Sequence, residues 1–492
     1  MLLQRVKPLD RLLAETGDSG HSLKKSLGAG SLVAMGIGAI IGTGIFVLTG
    51  VASAKFAGPS LTISFIIAGL VSAFAALCYS EVASRIPIAG SAYTFAYASL
   101  GEFVAWIIGW DLVLEYALGA ATVSIGWSGY FSTFIKNAFG LAIPNSLLHN
   151  PWDTGPMGEP MHGIMNLPAF CIICLIGVLL YRGTRESAIV NNIIVTIKVV
   201  IVLFFIAIGL GHVNTGNWYP YFPFGWSGTL FGAFFIFFAY IGFDAVSTAA
   251  EETKNPQRDL PIGIIGSLAI CTVLYIIVAA ILTGIVNYTH LNVPQPVAFA
   301  IDQINGMGWA SAIIALGAIA GLTTVLLVMM FGQTRVFFAM SRDGLVPTVF
   351  SKVHPRFRTP GVTTIMFTIF IACVAAFTPI TVVGSLTNMG TLAAFVLVSV
   401  ALPVLRKRYP NTQGFTVPFG PYIIPSISAI LACALLLAPF FDEGIGHVMG
   451  IPLPWFGFVV WLAIGLVVYF LYGRRNSTVG KNEIAMALET TP

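Results

Sequence analysis

Four glycines crowd into nine residues of an otherwise apolar run, Gly36-Ile37-Gly38-Ala39-Ile40-Ile41-Gly42-Thr43-Gly44. A glycine inside a helix costs up to about 1 kcal/mol relative to alanine. The cluster therefore needs a reason. Close packing against a neighbouring helix is one. The other is a helix interrupted at Gly42-Thr43-Gly44. Its freed amides, at the positive end of the outer half-helix, would hold an anionic carboxylate. A second stretch, Phe238-Ala239-Tyr240-Ile241-Gly242-Phe243-Asp244-Ala245, sets a glycine and an acid within another apolar run. Carbonyls freed there would suit an ammonium group. Amides on one break and carbonyls on the other match the backbone of a zwitterionic α-amino acid.

Four ionisable residues stand within apolar runs: Asp111, Glu115, Lys198 and Asp244. Each would cost about 2.5–3.5 kcal/mol facing lipid at a helix centre. They must face protein or water. Asp111 and Glu115 are four apart and share a helix face. Asp111 and Asp244 fit equally well as structural or coupling charges. Lys198 is isolated in Ile194-Val195-Thr196-Ile197-Lys198-Val199-Val200. Burial disfavours a charged amine, so Lys198 is a candidate proton-coupling group. As a cation it could donate to carbonyls of the first broken helix. Glu115 could attract the basic end of a cationic ligand.

The elements that position these residues follow from composition. Of 492 residues, 57% are hydrophobic and only 9% charged, and mean hydropathy is +0.89. A soluble domain is about a quarter charged. That excludes an ordinary soluble enzyme, a disordered chain and a nucleic-acid binder, and the net charge of +4 adds no polyanion signal. Crossings need about 20 apolar residues each. About twelve are expected: 29–50, 60–83, 101–130, 164–182, 188–211, 228–251, 262–287, 309–337, 361–379, 382–404, 421–440 and 453–472. The runs lack the period-two alternation of a β-barrel. With the N-terminus cytoplasmic, the inner segments hold all basic residues except Lys55, Lys136 and Lys198. That bias predicts an even number of crossings and both termini inside.

The six cysteines all lie in apolar runs, so no loop disulfide framework is expected. Cys171 and Cys174 have C-x-x-C spacing without a second pair or a nearby histidine. The seven histidines fall in loops or at span edges. No metal cluster, nucleophile–base pair or phosphate loop stands out, which argues against an enzyme and against any metal or organic cofactor. The loop 137–163 reads as an outer cap, and the Asn287-Tyr288-Thr289 sequon faces outward.

Several motifs in order carry a resemblance. Gly42-Thr43-Gly44-Ile45-Phe46 resembles the first-helix motif of the amino acid–polyamine–organocation superfamily. Trp110-Asp111-Leu112-Val113-Leu114-Glu115-Tyr116 resembles the third helix of its cationic amino acid transporter family. Glu251 to Pro261 is similar to the cytoplasmic segment after helix six, and Gly332-Gln333-Thr334-Arg335 with Ser341-Arg342-Asp343-Gly344 to the segment after helix eight. The match runs from about residue 24 to 475.

The resemblance implies an all-α membrane protein of twelve transmembrane helices. These form a LeuT-like 5+5 inverted repeat plus two peripheral helices. The expected units are a cytoplasmic segment 1–28, a first repeat 29–211, a second repeat 228–404, a peripheral pair 421–472 and a cytoplasmic tail 473–492. It implies secondary-active amino acid transport by alternating access. The substrate carboxylate would lie on the amides of Thr43 and Gly44. Its ammonium would meet carbonyls of Ile40, Phe238, Ala239 and Ile241, with Phe238 as a gate. Tyr275 and Met329 would line the side-chain end, where bulky Met329 would restrict long cationic side chains. Lys198 matches the helix-five lysine of proton-coupled bacterial members. Twelve spans, where vertebrate members have fourteen, fit a bacterial type.

The expected function is proton-coupled import of neutral small or cationic L-amino acids across the cell membrane, with the proton as the coupling ion. An exchanger without net proton flux is the alternative. A membrane amino acid sensor would need an output domain that the short tails do not supply. The expected partners are the amino acid and membrane lipid. A small single-span membrane partner on the outer face is compatible with the chain, and oligomeric state is left open.

Overall fold

The computed structural model describes residues 5–7, 27–86, 92–153, 160–183, 188–410, 412–441 and 446–481. The basic residues Arg11, Lys24, Lys25 and Arg185 and the tail beyond 481 lie outside them. The described chain is mostly helical; its strands are a short hairpin, in which β1 (His447–Val448) pairs antiparallel with β2 (Ile451–Pro452), and a single parallel bridge joins Leu27 to Thr253.

The helices used below are α1 (Ala29–Ile40), α2 (Leu61–Arg85), α3 (Ala92–Ser99), α4 (Glu102–Phe139), α5 (Leu167–Arg182), α6 (Ala188–Leu210), α7 (Gly225–Ile236), α8 (Pro256–Ile285), α9 (Pro296–Asp302), α10 (Gly308–Arg342), α11 (Gly361–Phe377), α12 (Ile380–Arg408), α13 (Ile423–Leu437) and α14 (Leu453–Val468). Among the described residues nine helical runs are long and apolar enough to cross a membrane, and α1, α5 and α11 are shorter apolar helices. Many large apolar side chains lie on the outside, such as Val178 of α5, Val200 of α6, Val273 of α8 and Ile369 of α11. Water would reject such a surface, and lipid accepts it. The protein is an integral membrane protein.

The core is arranged around α4, whose 38 residues pack along α10 and α12. A second group sets α8 against α1 and α2. Ionic contacts mark the ends of these helices. Glu81 of α2 is fully buried and takes Arg406 Nε and Nη2 at 2.5 Å each, Arg85 Nε at 2.8 Å and the Val417 amide at 2.7 Å. Glu102, at the start of α4, accepts from Tyr97, Tyr469, Arg5 and Ser477. Asp343, just past α10, takes Lys7 Nζ at 3.1 Å and Tyr93 Oη at 2.7 Å. Thus the start and the end of the described chain close on the same end of the bundle.

Candidate functional site

Both expected interruptions are present, and they face each other. α1 ends at Ile40, and Ile41 adopts an extended conformation (φ −71°, ψ 103°). Helix resumes at Gly44, as a wide turn over Gly44–Leu48. In the second break α7 tightens through Phe237–Tyr240, Ile241 is extended (φ −61°, ψ 134°), and Gly242 sits at φ +115°. A tighter helix then runs over Phe243–Glu252. Gly242 is required twice. A side chain would be strained at that φ, and a Cβ there would lie 2.9 Å from the Ala39 carbonyl oxygen. Gly44 has no room either, because a Cβ would collide with the Ala239 backbone.

A cavity of about 180 Å³ opens beside the breaks. Its wall includes Met35, Gly38 and Ala39 before the first break and Ile241, Gly242, Asp244 and Ala245 at and after the second. Tyr116 of α4 and Thr324, Val325, Val328 and Met329 of α10 complete it. On the far side of Gly44 a separate cavity of about 260 Å³ is lined by Val47, Val51, Lys55, Ile125 and parts of the cap loop. Tyr130 Oη, further along α4, donates to the Phe46 carbonyl at 2.6 Å.

The expected site residues take different places around these cavities. Ile241, Asp244 and Met329 line the first cavity directly. The Thr43 hydroxyl is buried with no hydrogen-bond partner among the described residues. Such a group is costly to bury unless a ligand or water satisfies it. Gly42 packs against Val325. Phe238 is buried, and its carbonyl already accepts from the Ile241 amide at 3.2 Å. Tyr275 is fully buried, and its hydroxyl donates to the Ile40 carbonyl at 2.8 Å. It therefore supports the end of α1 and is not among the cavity wall residues.

Lys198 is 2% exposed and donates from Nζ to the Gly38 carbonyl at 2.7 Å. Its stem packs against Gly321 of α10. One side chain thus links α6, α1 and α10 directly below the first break. Glu115 is 3% exposed, beside Asp244 and the Thr391 hydroxyl. Asp111 is 1% exposed, and neither of its oxygens has a partner among the described residues. Tyr116, Met35, Thr324 and Val325 were missed from sequence. Tyr116 carried a signal, since it closes the Trp110–Tyr116 motif. The other three carry none, because apolar and hydroxyl residues in a helical run look alike on wall and core faces.

The fold and site define a helical membrane permease with a cavity beside two facing helix breaks. The chain belongs to the amino acid permease family, whose pattern matches residues 27–470, within the amino acid–polyamine–organocation superfamily. It is 49% identical over 479 residues to the branched-chain amino acid permease BcaP of Bacillus subtilis, covering 97% of this chain and 99% of that protein. It is 47% identical over 480 residues to the methylthioribose transporter of the same organism, with the same coverage. It is also 40% identical over 416 residues to the vacuolar cationic amino acid transporter 4 of Arabidopsis thaliana, covering 83% of this chain and 68% of that one. The protein is an amino acid permease of this family, a transporter rather than an enzyme.

Proposed function

We propose that the chain is a proton-coupled importer of neutral apolar L-amino acids, working by alternating access with Lys198 as the coupling group. The observation that carries it is the Lys198–Gly38 bond beneath the first break. A charged lysine ties α6 to the segment that must move, and a neutral one loosens that tie. Proton loading and helix movement are therefore linked through one contact. The carboxylate is assigned to the Thr43 and Gly44 amides with the unpartnered Thr43 hydroxyl. The ammonium is assigned to carbonyls at Ile40, Ala239 and Ile241. The apolar wall of Met35, Ile241, Val325, Val328 and Met329 favours a short branched side chain. Glu115 and Asp244 stand where a basic side chain would end. No cofactor beyond the coupling proton is assigned.

The architecture proposed is twelve spans with two inverted five-helix units. Gly44–Arg85, at 42 residues, would extend about 63 Å as one helix. That is twice the roughly 30 Å hydrocarbon core. It turns at Gly58, where φ is +61°. Counting it as the outer half of one span and the whole of the next supports twelve, as does pairing α1 with the segment after Gly44. The basic-residue bias supports cytoplasmic termini and a cell-membrane location.

A second reading is favoured by the methylthioribose-named relative: the cargo would be a neutral thioether sugar rather than a zwitterion. One uptake panel in proteoliposomes separates the readings, using labelled valine, isoleucine, alanine, arginine, lysine and methylthioribose with and without an inward proton gradient. Gradient-driven valine uptake supports the proposal. Uptake of methylthioribose alone overturns the cargo, and gradient-independent uptake that demands internal amino acid makes the protein an exchanger.

A further inference from the structure

Of the acidic side chains within the spanning helices, Asp111 has the least to hold it in place. Asp244 lies in the first turn of its own helical segment, next to the Gly242 and Ala245 backbone. Glu115 has the Thr391 hydroxyl. Asp111 has burial on every side, and no donor reaches either carboxylate oxygen among the described residues. Among the described residues no cation reaches the Asp111 carboxyl. From α12 the neighbours are Gly390, which approaches the Asp111 carbonyl, and uncharged Thr391. On α10, Gln333 and Thr334 are buried and the cation Arg335 lies over the Phe331 ring at 4.7 Å; none of them donates to Asp111. From α14, Trp461 donates to the neighbouring Trp110 carbonyl at 3.1 Å. Glu115 stands one turn along the same helix face and feels the Asp111 carboxyl.

Both forms are disfavoured without a partner, but a bare carboxylate in such surroundings is far costlier to bury than the neutral acid. We propose that Asp111 is a second proton-binding site of this transporter. It carries a proton in this conformation and lies in series with Glu115 and Asp244, apart from Lys198. Lys198 sits on α6 against α1 and α10, with Cys271 beside it, so the two sites occupy different seams of the bundle. Asp111 is separated by one helical turn, about 6 Å of rise, from a carboxyl that faces the cavity acid. When the bundle rearranges so that the Glu115 carboxyl or a bridging water reaches a deprotonated Asp111, a proton taken up at the Asp244–Glu115 pair passes to it, forming the Asp111 O–H bond as the donor carboxyl becomes carboxylate. The reverse step returns it. This deepens the transport reading and rests on it.

The test joins infrared difference spectroscopy to transport, on the full-length protein in lipid. Wild type should show a protonated-carboxyl C=O band that shifts in heavy water and is lost in Asp111→Asn, while Lys198→Ala retains it. In proteoliposomes Asp111→Asn should still bind substrate, read as thermal stabilisation by valine, but lose most of the rise in uptake on acidification. If Asp111→Asn does not fold, the wild-type band assigned by selective aspartate labelling serves instead, with Asp111→Ser as the second variant. Retention of the band in the variant, or an unchanged pH profile of uptake, overturns the proposal. If wild type neither binds nor moves any amino acid, the transport reading fails, and the band still reports on Asp111 separately.

Discussion

At the scale of single residues, chemistry is set by which polar groups are left without partners inside an apolar bundle. Lys198 has one strong bond, to a carbonyl just below the first break. Lys198→Ala should keep substrate binding within a fewfold but abolish gradient-driven accumulation in proteoliposomes. Full accumulation in that variant would remove Lys198 from coupling. Among the described residues no cation stands beside Glu115, and its acidic neighbour is Asp244. Glu115→Gln should therefore weaken arginine binding by about tenfold, roughly the 1.4 kcal/mol of one lost charge interaction. Valine should be little affected, and isothermal titration with both ligands checks it; equal losses would place Glu115 outside side-chain recognition.

At the scale of elements, the breaks exist because two glycines permit a close approach that nothing else would. Gly44 meets Ala239, and Gly242 meets the Ala39 carbonyl. Gly242→Ala adds a Cβ to a left-handed residue, a cost of about 1–2 kcal/mol, before the contact with Ala39 is counted. It should lower the melting temperature by a few degrees and reduce valine uptake more than tenfold; a wild-type rate would mean the break tolerates rearrangement. The ends of α2 and α12 are joined differently, by the Glu81–Arg406 pair with Arg85 alongside. Removing one member of a buried pair leaves the other charges unpaired, at about 3–5 kcal/mol. Glu81→Gln should thus destabilise the detergent-solubilised protein strongly, whereas the Glu81→Gln, Arg406→Gln double variant should recover part of that loss. No recovery would show that the pair is not the source.

At the scale of the whole molecule, the sidedness of the basic residues predicts which loops meet which solvent. Tyr219 is 85% exposed in the loop after α6, and Val353 is half exposed in the loop after α10. On a background without native cysteines, Tyr219→Cys should react with a membrane-impermeant maleimide in intact cells. Val353→Cys should react only after lysis. The opposite pattern would invert the proposed topology.

The residue sequence by itself determined much of this protein. Apolar run length and the placement of lysine and arginine gave a helical membrane protein, because the cost of burying charge in lipid is large and local to each run. Both breaks were legible for the same reason, since glycine clusters and an acid in an apolar run violate helix and bilayer preferences together. Which groups those breaks bring together was decided only by tertiary packing. The sequence suggested that Lys198 could donate to a carbonyl of the first broken helix, but only packing picks out Gly38, 160 residues away. Nor does the sequence say that Tyr275 holds the Ile40 carbonyl, or that Tyr116 and Thr324 form the wall while Phe238 turns its carbonyl back into its own helix. Membrane helices are apolar on every face, so periodicity does not mark the side that faces a cavity. Only the positions of neighbouring helices separate wall from core, and only they leave Asp111 without a donor among the described residues.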